Sequence, residues 1–139
     1  MEPLDDYLAD VPVFSTVSAR QRRRLRTVAT RLEVPAGETS ITDGDKGAEC
    51  IVVLYGAVDI AHGDQHLAHL ERGDCYGVLD LLARRPGTKL DITASIPSVV
   101  DVIAARDFFR LLFEAPVLAE GLVIALARRL IEVTEPQTP

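Results

Sequence analysis

The chain has 139 residues, 47% of them hydrophobic, and a formal net charge of −6. That is enough apolar material for one packed domain, and the acidic balance argues against nucleic acid as the main partner. No apolar run approaches the ~20 residues of a membrane span, the opening residues lack the basic-then-apolar pattern of a secretory leader, and two cysteines, Cys50 and Cys75, imply no disulfide framework.

Taken in order, Leu4 to Asp10 reads as a short first helix. Ser18 followed by Gln21 forms a capping box, and the helix it starts is expected to run to about Thr30, with Leu25, Val28, Ala29 and Leu32 as its apolar stripe. Its opposite face carries Arg20, Arg22, Arg23, Arg24 and Arg26: a solvated face, or a docking surface for an acidic partner. Val34 to Glu38 reads as a turn, Thr39 to Thr42 as a strand, and Cys50 to Leu54 as a strand buried on both faces. Gly56 suits a bulge or sharp bend. Ala57 to Ala61 and Gln65 to Leu70 flank Gly63-Asp64, a two-residue hairpin signal. The three histidines, His62, His66 and His69, all fall in this hairpin. Strand alternation predicts His66 and His69 on opposite faces, which favours surface histidines over a zinc site. No metal is expected.

From Gly73 to Ala94 the sequence reads Gly-Asp-Cys-Tyr-Gly-Val-Leu-Asp-Leu-Leu-Ala-Arg-Arg-Pro-Gly-Thr-Lys-Leu-Asp-Ile-Thr-Ala. Gly73-Asp74 and Gly77 give a turn, Val78 to Ala83 one short helical turn, Pro86-Gly87 a stop, and Lys89 to Thr93 an alternating strand with Leu90, Ile92 and Ala94 inward. A glycine turn leading into a helix start presents free backbone N–H groups to an anion. Ser95 to Ala104 reads as a final hairpin-like strand pair, Asp107 to Phe113 as a short amphipathic helix, and Pro116 as the first turn of a last helix to about Val133. That helix has two apolar stripes, Leu118-Leu122-Leu126-Leu130-Val133 and Val117-Ile124-Ile131. Either the domain's own helices absorb both, or one is a seam for a second copy.

The Gly73 to Ala94 stretch resembles the phosphate-binding cassette of the cyclic nucleotide-binding domain, as in the sensor domain of catabolite activator proteins. Phe14, Ala36-Gly37-Glu38, Gly44-Asp45, Gly56, Gly73-Asp74, Gly77 and Pro86 match that family in order, from about Leu8 to Leu130. The resemblance implies a mainly β fold with flanking helices, a double-stranded β-helix or jelly-roll, as one domain over residues 1–133 with a disordered tail at 134–139. It also implies a Glu for the ribose hydroxyl and an Arg for the cyclic phosphate. Val78 stands in the place of the Glu. Gly87, or Thr88 if the loop is one residue longer, stands in the place of the Arg, with Lys89 next in line. Arg84 and Arg85 are expected on the wrong side of the loop.

The degenerate cassette is therefore drawn as Gly77, Val78, Leu79, Thr88 and Lys89. A cyclic phosphate without its guanidinium and a ribose without its acceptor lose roughly 10²–10⁴-fold in affinity. The expectation is a non-enzymatic regulatory or interaction module with no cofactor, cAMP and cGMP being disfavoured. It would work through another protein or itself by the last helix, with no membrane or direct DNA contact. The alternative is a sensor of some other small anion. An Ala-, Arg- and Val-rich composition suggests a bacterial source, and two thiols without a leader suggest the cytoplasm.

Overall fold

Strand β3 (Glu49–Tyr55) joins the two halves of the core. Its interior residues are all buried, as a continuous apolar run requires, and they alternate. Ile51 and Val53 face a cluster with Val34, Val58, Ile60, Ile92 and Val100, between two sheets. Cys50, Val52 and Leu54 face a second cluster with Leu25, Leu81, Ile103, Phe108 and Leu118, under the helices.

The computed structural model describes residues 18–45 and 47–135. The first-helix reading at Leu4 to Asp10, the Phe14 match and residues 136–139 of the expected tail lie outside them. Two four-stranded antiparallel sheets face each other. One has the order β1 (Thr30–Val34), β8 (Ser98–Ala104), β3, β6 (Cys75–Tyr76). The other has β2 (Thr39–Ile41), β7 (Asp91–Ala94), β4 (Ala57–His62), β5 (Gln65–Glu71). Helix α1 (Ala19–Val28) precedes them, α2 (Val78–Leu82) follows β6, and α3 (Ala105–Glu114) and α4 (Pro116–Thr134) close the described chain. This is the jelly-roll with flanking helices that the sequence implied.

Three local expectations change. Helix α1 keeps half of the expected capping box, the Gln21 N–H donating to Ser18 Oγ at 3.3 Å while Gln21 Oε1 is buried without a partner among the described residues, and it stops at Val28. Leu32 lies in β1, not on the helix, because Thr30 to Val34 pairs residue for residue with Val102 to Ser98. That pairing sets Arg31 opposite Asp101. The guanidinium makes a two-pronged bond, Nε to Oδ1 at 2.8 Å and Nη2 to Oδ2 at 3.0 Å, on a carboxylate only 1% exposed. Nor do β7 and β8 form a hairpin: each pairs within its own sheet, and Ser95 to Pro97 carries the chain across.

The third change concerns the histidines. Ile60 pairs with Ala68 but Ala61 pairs with His66, so Leu67 is an extra residue in β5. A bulge of this kind cancels strict alternation. His66 and His69 consequently share a face, and both bond Asp59 Oδ1, at 3.1 and 2.9 Å.

Helix α4 is buried only in its first half, through Leu118, Gly121 and Leu122. Beyond them Val123, Leu130, Ile131 and Val133 are exposed. Among the described residues, the helices thus do not absorb both stripes. Thr134 is still helical, its hydroxyl donating to the Leu130 carbonyl at 2.8 Å.

Candidate functional site: the cassette cavity

Helix α2 is short because Gly77 starts it and a turn at Arg84-Arg85 ends it. Gly77 has φ +96°, and a Cβ there would lie 2.2 Å from the Glu49 carbonyl oxygen. Only glycine combines that backbone with that approach. At the other end, Arg84 N–H donates to Leu81 O at 3.1 Å and Arg85 N–H to Asp80 O at 2.9 Å. Together with the left-handed Arg84, φ +56°, this is a Schellman closure with arginine where glycine is usual.

The Pro86-Gly87-Thr88 loop then packs against Gly44 and Gly47. A Cβ on Gly87 would fall 2.2 Å from the Gly47 carbonyl oxygen and 2.3 Å from that of Gly44. Thr42 fixes the exit: its N–H donates to Leu90 O, and the Leu90 N–H donates to Thr42 Oγ1, both at 2.9 Å. Leu90, Ile92 and Ala94 point inward as read from the sequence.

These elements enclose a cavity of about 360 Å³ lined by Ala48, Glu49, Leu67, Tyr76, Gly77, Asp80, Arg85, Pro86, Thr88 and Leu90. Of the five candidate residues, the structure brings Gly77 and Thr88 to it. Val78 turns into the helix-side core and is 7% exposed, so an acid there would be a buried charge. Leu79 is 67% exposed and, with Val78, lines a neighbouring cavity that faces Leu126 and Arg129 of α4. Lys89 is exposed, and its carbonyl lies 2.9 Å from His62 Nδ1.

Arg85 corrects the expectation that both arginines sit on the wrong side of the loop. The left-handed turn at Arg84 parts the two. Arg84 lies over the Phe109 ring, 4.1 Å from its centroid, while Arg85 reaches the cavity wall. Arg85 Nη1 is 3.4 Å from Asp80 Oδ1. Glu49 Oε1 accepts from the Gly44 N–H at 3.0 Å. Of the lining residues, one is cationic and two are carboxylates. Sequence reasoning missed Glu49, Asp80 and Arg85. Helical spacing would have paired Asp80 with Arg84, four residues on; the left-handed Arg84 that brings Arg85 to Asp80 instead was not readable.

Cys50 and Cys75 are free thiols on adjacent strands. Donating a hydrogen bond to Cys75, and then burial, push the Cys50 thiol well up. The same hydrogen bond pulls Cys75 down, against its partial burial and Asp74. Among the described residues no group of three or more His, Cys, Asp or Glu is arranged to hold a metal, and no helix is long and apolar enough to cross a membrane.

Two antiparallel sheets with a glycine turn, a one-turn helix and a Pro-Gly loop over a cavity define a jelly-roll of the phosphate-cassette class. The family described as cyclic nucleotide-binding domain matches residues 31–115, and the chain belongs to that family. It is similar to a cAMP-dependent protein kinase regulatory subunit of Mycosarcoma maydis, 30% identical over 59% of this chain and 16% of that one. The corresponding subunit of Eremothecium gossypii is 29% identical over 78% of this chain and 24% of its own length. The chain therefore spans a quarter or less of these relatives. Among solved structures, the N-terminal domain of a transcriptional regulator from Streptomyces coelicolor A3(2) superposes with TM-score 0.72 and 26% identity, over 96% of this chain and 99% of that one.

Proposed function

We propose that this domain is a non-catalytic regulatory module whose cavity has lost ordinary cAMP and cGMP binding and which acts through protein contacts. The observation that carries this reading is the interlock at Gly87. An arginine side chain cannot start at Gly87 without moving the loop, because its Cβ would fall 2.2 and 2.3 Å from two carbonyl oxygens. The ribose anchor position is filled by Val78, packed into the core. The cation that remains, Arg85, faces Asp80, and Glu49 adds a second carboxylate to the wall. A cyclic phosphate would enter beside two negative charges, which repel it. The exposed second half of α4 is the surface offered to a second copy or a partner helix. Calorimetry with cAMP and with cGMP tests the reading: no heat of binding at micromolar ligand is expected, and micromolar binding of either overturns it.

A second reading rests on Arg85 itself. Its side chain is 71% exposed, so its bond to Asp80 is a weak surface pair. A small phosphate or carboxylate ligand can replace Asp80 as its partner, with the Thr88 hydroxyl beside it. On this reading the domain is a sensor of a non-standard anion. A thermal-shift screen of nucleotides and organic acids on the wild-type chain and on Arg85→Ala distinguishes the two. Ligand shifts that vanish in the variant support the sensor.

A further inference from the structure

On the far side of the Arg84–Arg85 turn, a groove of about 550 Å³ opens against α3. Arg84, Arg85, Arg106, Phe109, Arg110 and Phe113 line it, and among the described residues no carboxylate does. In a chain of net charge −6 this gathering of cations runs against the average. It is also periodic. Arg106, Phe109, Arg110 and Phe113 are spaced i, i+3, i+4, i+7 and so share one face of α3, while Phe108 and Leu111 bury the other.

Three features mark the groove as a surface built for contact. Phe113 is 85% exposed at its rim. No ion pair joins Arg106 or Arg110 to a carboxylate of the described residues. Arg84 keeps a left-handed backbone that strains an arginine and suits a glycine, with its guanidinium stacked on Phe109 at the groove wall. Strain held at a surface turn, where a simpler residue would be more stable, calls for a use of that side chain.

The occupant must bring negative groups about one helical turn apart, to meet Arg106 and Arg110, and an apolar body to cover two phenyl rings. An inorganic anion supplies only the first. A nucleic acid supplies both but must approach an acidic protein. We propose that the groove docks an acidic segment of a partner protein, its carboxylates on Arg84, Arg106 and Arg110 and an aromatic side chain against Phe109 and Phe113. This adds a second contact surface to the α4 face proposed above. It does not depend on the cavity being silent, since groove and cavity share Arg85 alone among their lining residues.

The test is fluorescence anisotropy with a labelled short poly-glutamate peptide carrying one central tryptophan, at low salt, on the full chain. Binding is expected, weakening by about tenfold or more with Arg106→Ala/Arg110→Ala or with alanine in place of the tryptophan. It should also fall as salt is added. All the altered side chains are exposed, so melting should not change; if the double variant melts early, Phe113→Ser takes its place and should weaken binding in the same direction. No binding at millimolar peptide, equal binding by the variants, or tighter binding of a single-stranded oligonucleotide of matched charge would overturn the proposal. Calorimetry with cyclic nucleotides reads the cavity separately, so failure of one inference is distinguishable from failure of the other.

Discussion

The cassette cavity and the α3 groove share Arg85 and little else. The cavity is shaped by backbone: Gly77 against the Glu49 carbonyl, and Gly87 against those of Gly44 and Gly47. The groove is shaped by side chains, two phenylalanines and four arginines on a helix face and a turn. Backbone interlocks tolerate almost no change, so a cavity's outline can outlast its chemistry. Exposed side chains are free to change, so a groove's chemistry is the product of what occupies it. The difference teaches where substitutions will act: in the cavity through the backbone and hence the fold, on the helix through side chains and hence binding.

The largest break in that comparison should come from Gly87→Arg, which puts an arginine at one of the two loop positions, Gly87 or Thr88, where the resemblance implies a phosphate anchor. With a Cβ forced onto two carbonyl oxygens, we expect a loss of roughly 3–5 kcal/mol, since overpacking against backbone cannot relax by rotamer changes. We also expect no gain in cAMP affinity. Gly77→Ala should cost somewhat less, about 2–4 kcal/mol, from its positive φ and its contact with Glu49 O. Urea titration measures both. A Gly87→Arg chain that stays stable and binds cAMP would show that the loop is plastic and that the cavity lost only its charge.

Much of this asymmetry is visible in the sequence, and the rest is hidden for definable reasons. The cassette glycines and the inward Leu90, Ile92 and Ala94 are legible because turns and alternation leave marks in residue order. Strand β1 is not legible: Leu25, Val28, Ala29 and Leu32 keep helical spacing across a helix end that only pairing with β8 creates. The shared face of His66 and His69 is hidden by the Leu67 bulge, since an extra residue has no signature in a polar strand. Arg85 is hidden by one dihedral angle at Arg84. In each case a tertiary contact overrides a local period.

Smaller effects sharpen the contrast at the shared turn. Arg84→Gly removes a left-handed arginine, which should stabilise the closure of α2 by about 1 kcal/mol, offset in part by the lost stacking on Phe109. The same change should weaken peptide binding in the groove. A variant more stable and less able to bind is the outcome that ties the strain to use. Arg85→Ala should leave stability within about 0.5 kcal/mol, as for most exposed ion pairs. If it lowers stability by much more, Arg85 is a structural strut and neither cavity owns it.

The smallest expected effect belongs to the hairpin whose bulge sends Leu67 to the cavity wall and His66 and His69 to Asp59. The hydrogen bond to Asp59 raises the His69 pKa above its ordinary 6.5, with Glu71 adding a little. The bonds from His69 and then His66 lower Asp59 below its ordinary 3.8. A raised histidine contributes stability that is present below pH 6.5 and is lost as pH climbs through its folded value. A depressed aspartate contributes above pH 3.8 and fades as pH falls through its folded value. The cluster therefore supports the hairpin between those limits and releases it outside them, weakly, because every member is open to solvent. NMR titration of the His69 ring should give a midpoint above 6.5 that moves back toward it in Asp59→Asn. A midpoint unmoved by that substitution would mean the bulge does not hold the two rings on Asp59 in solution. The geometry of the cavity wall at Leu67 would then need to be redrawn with it.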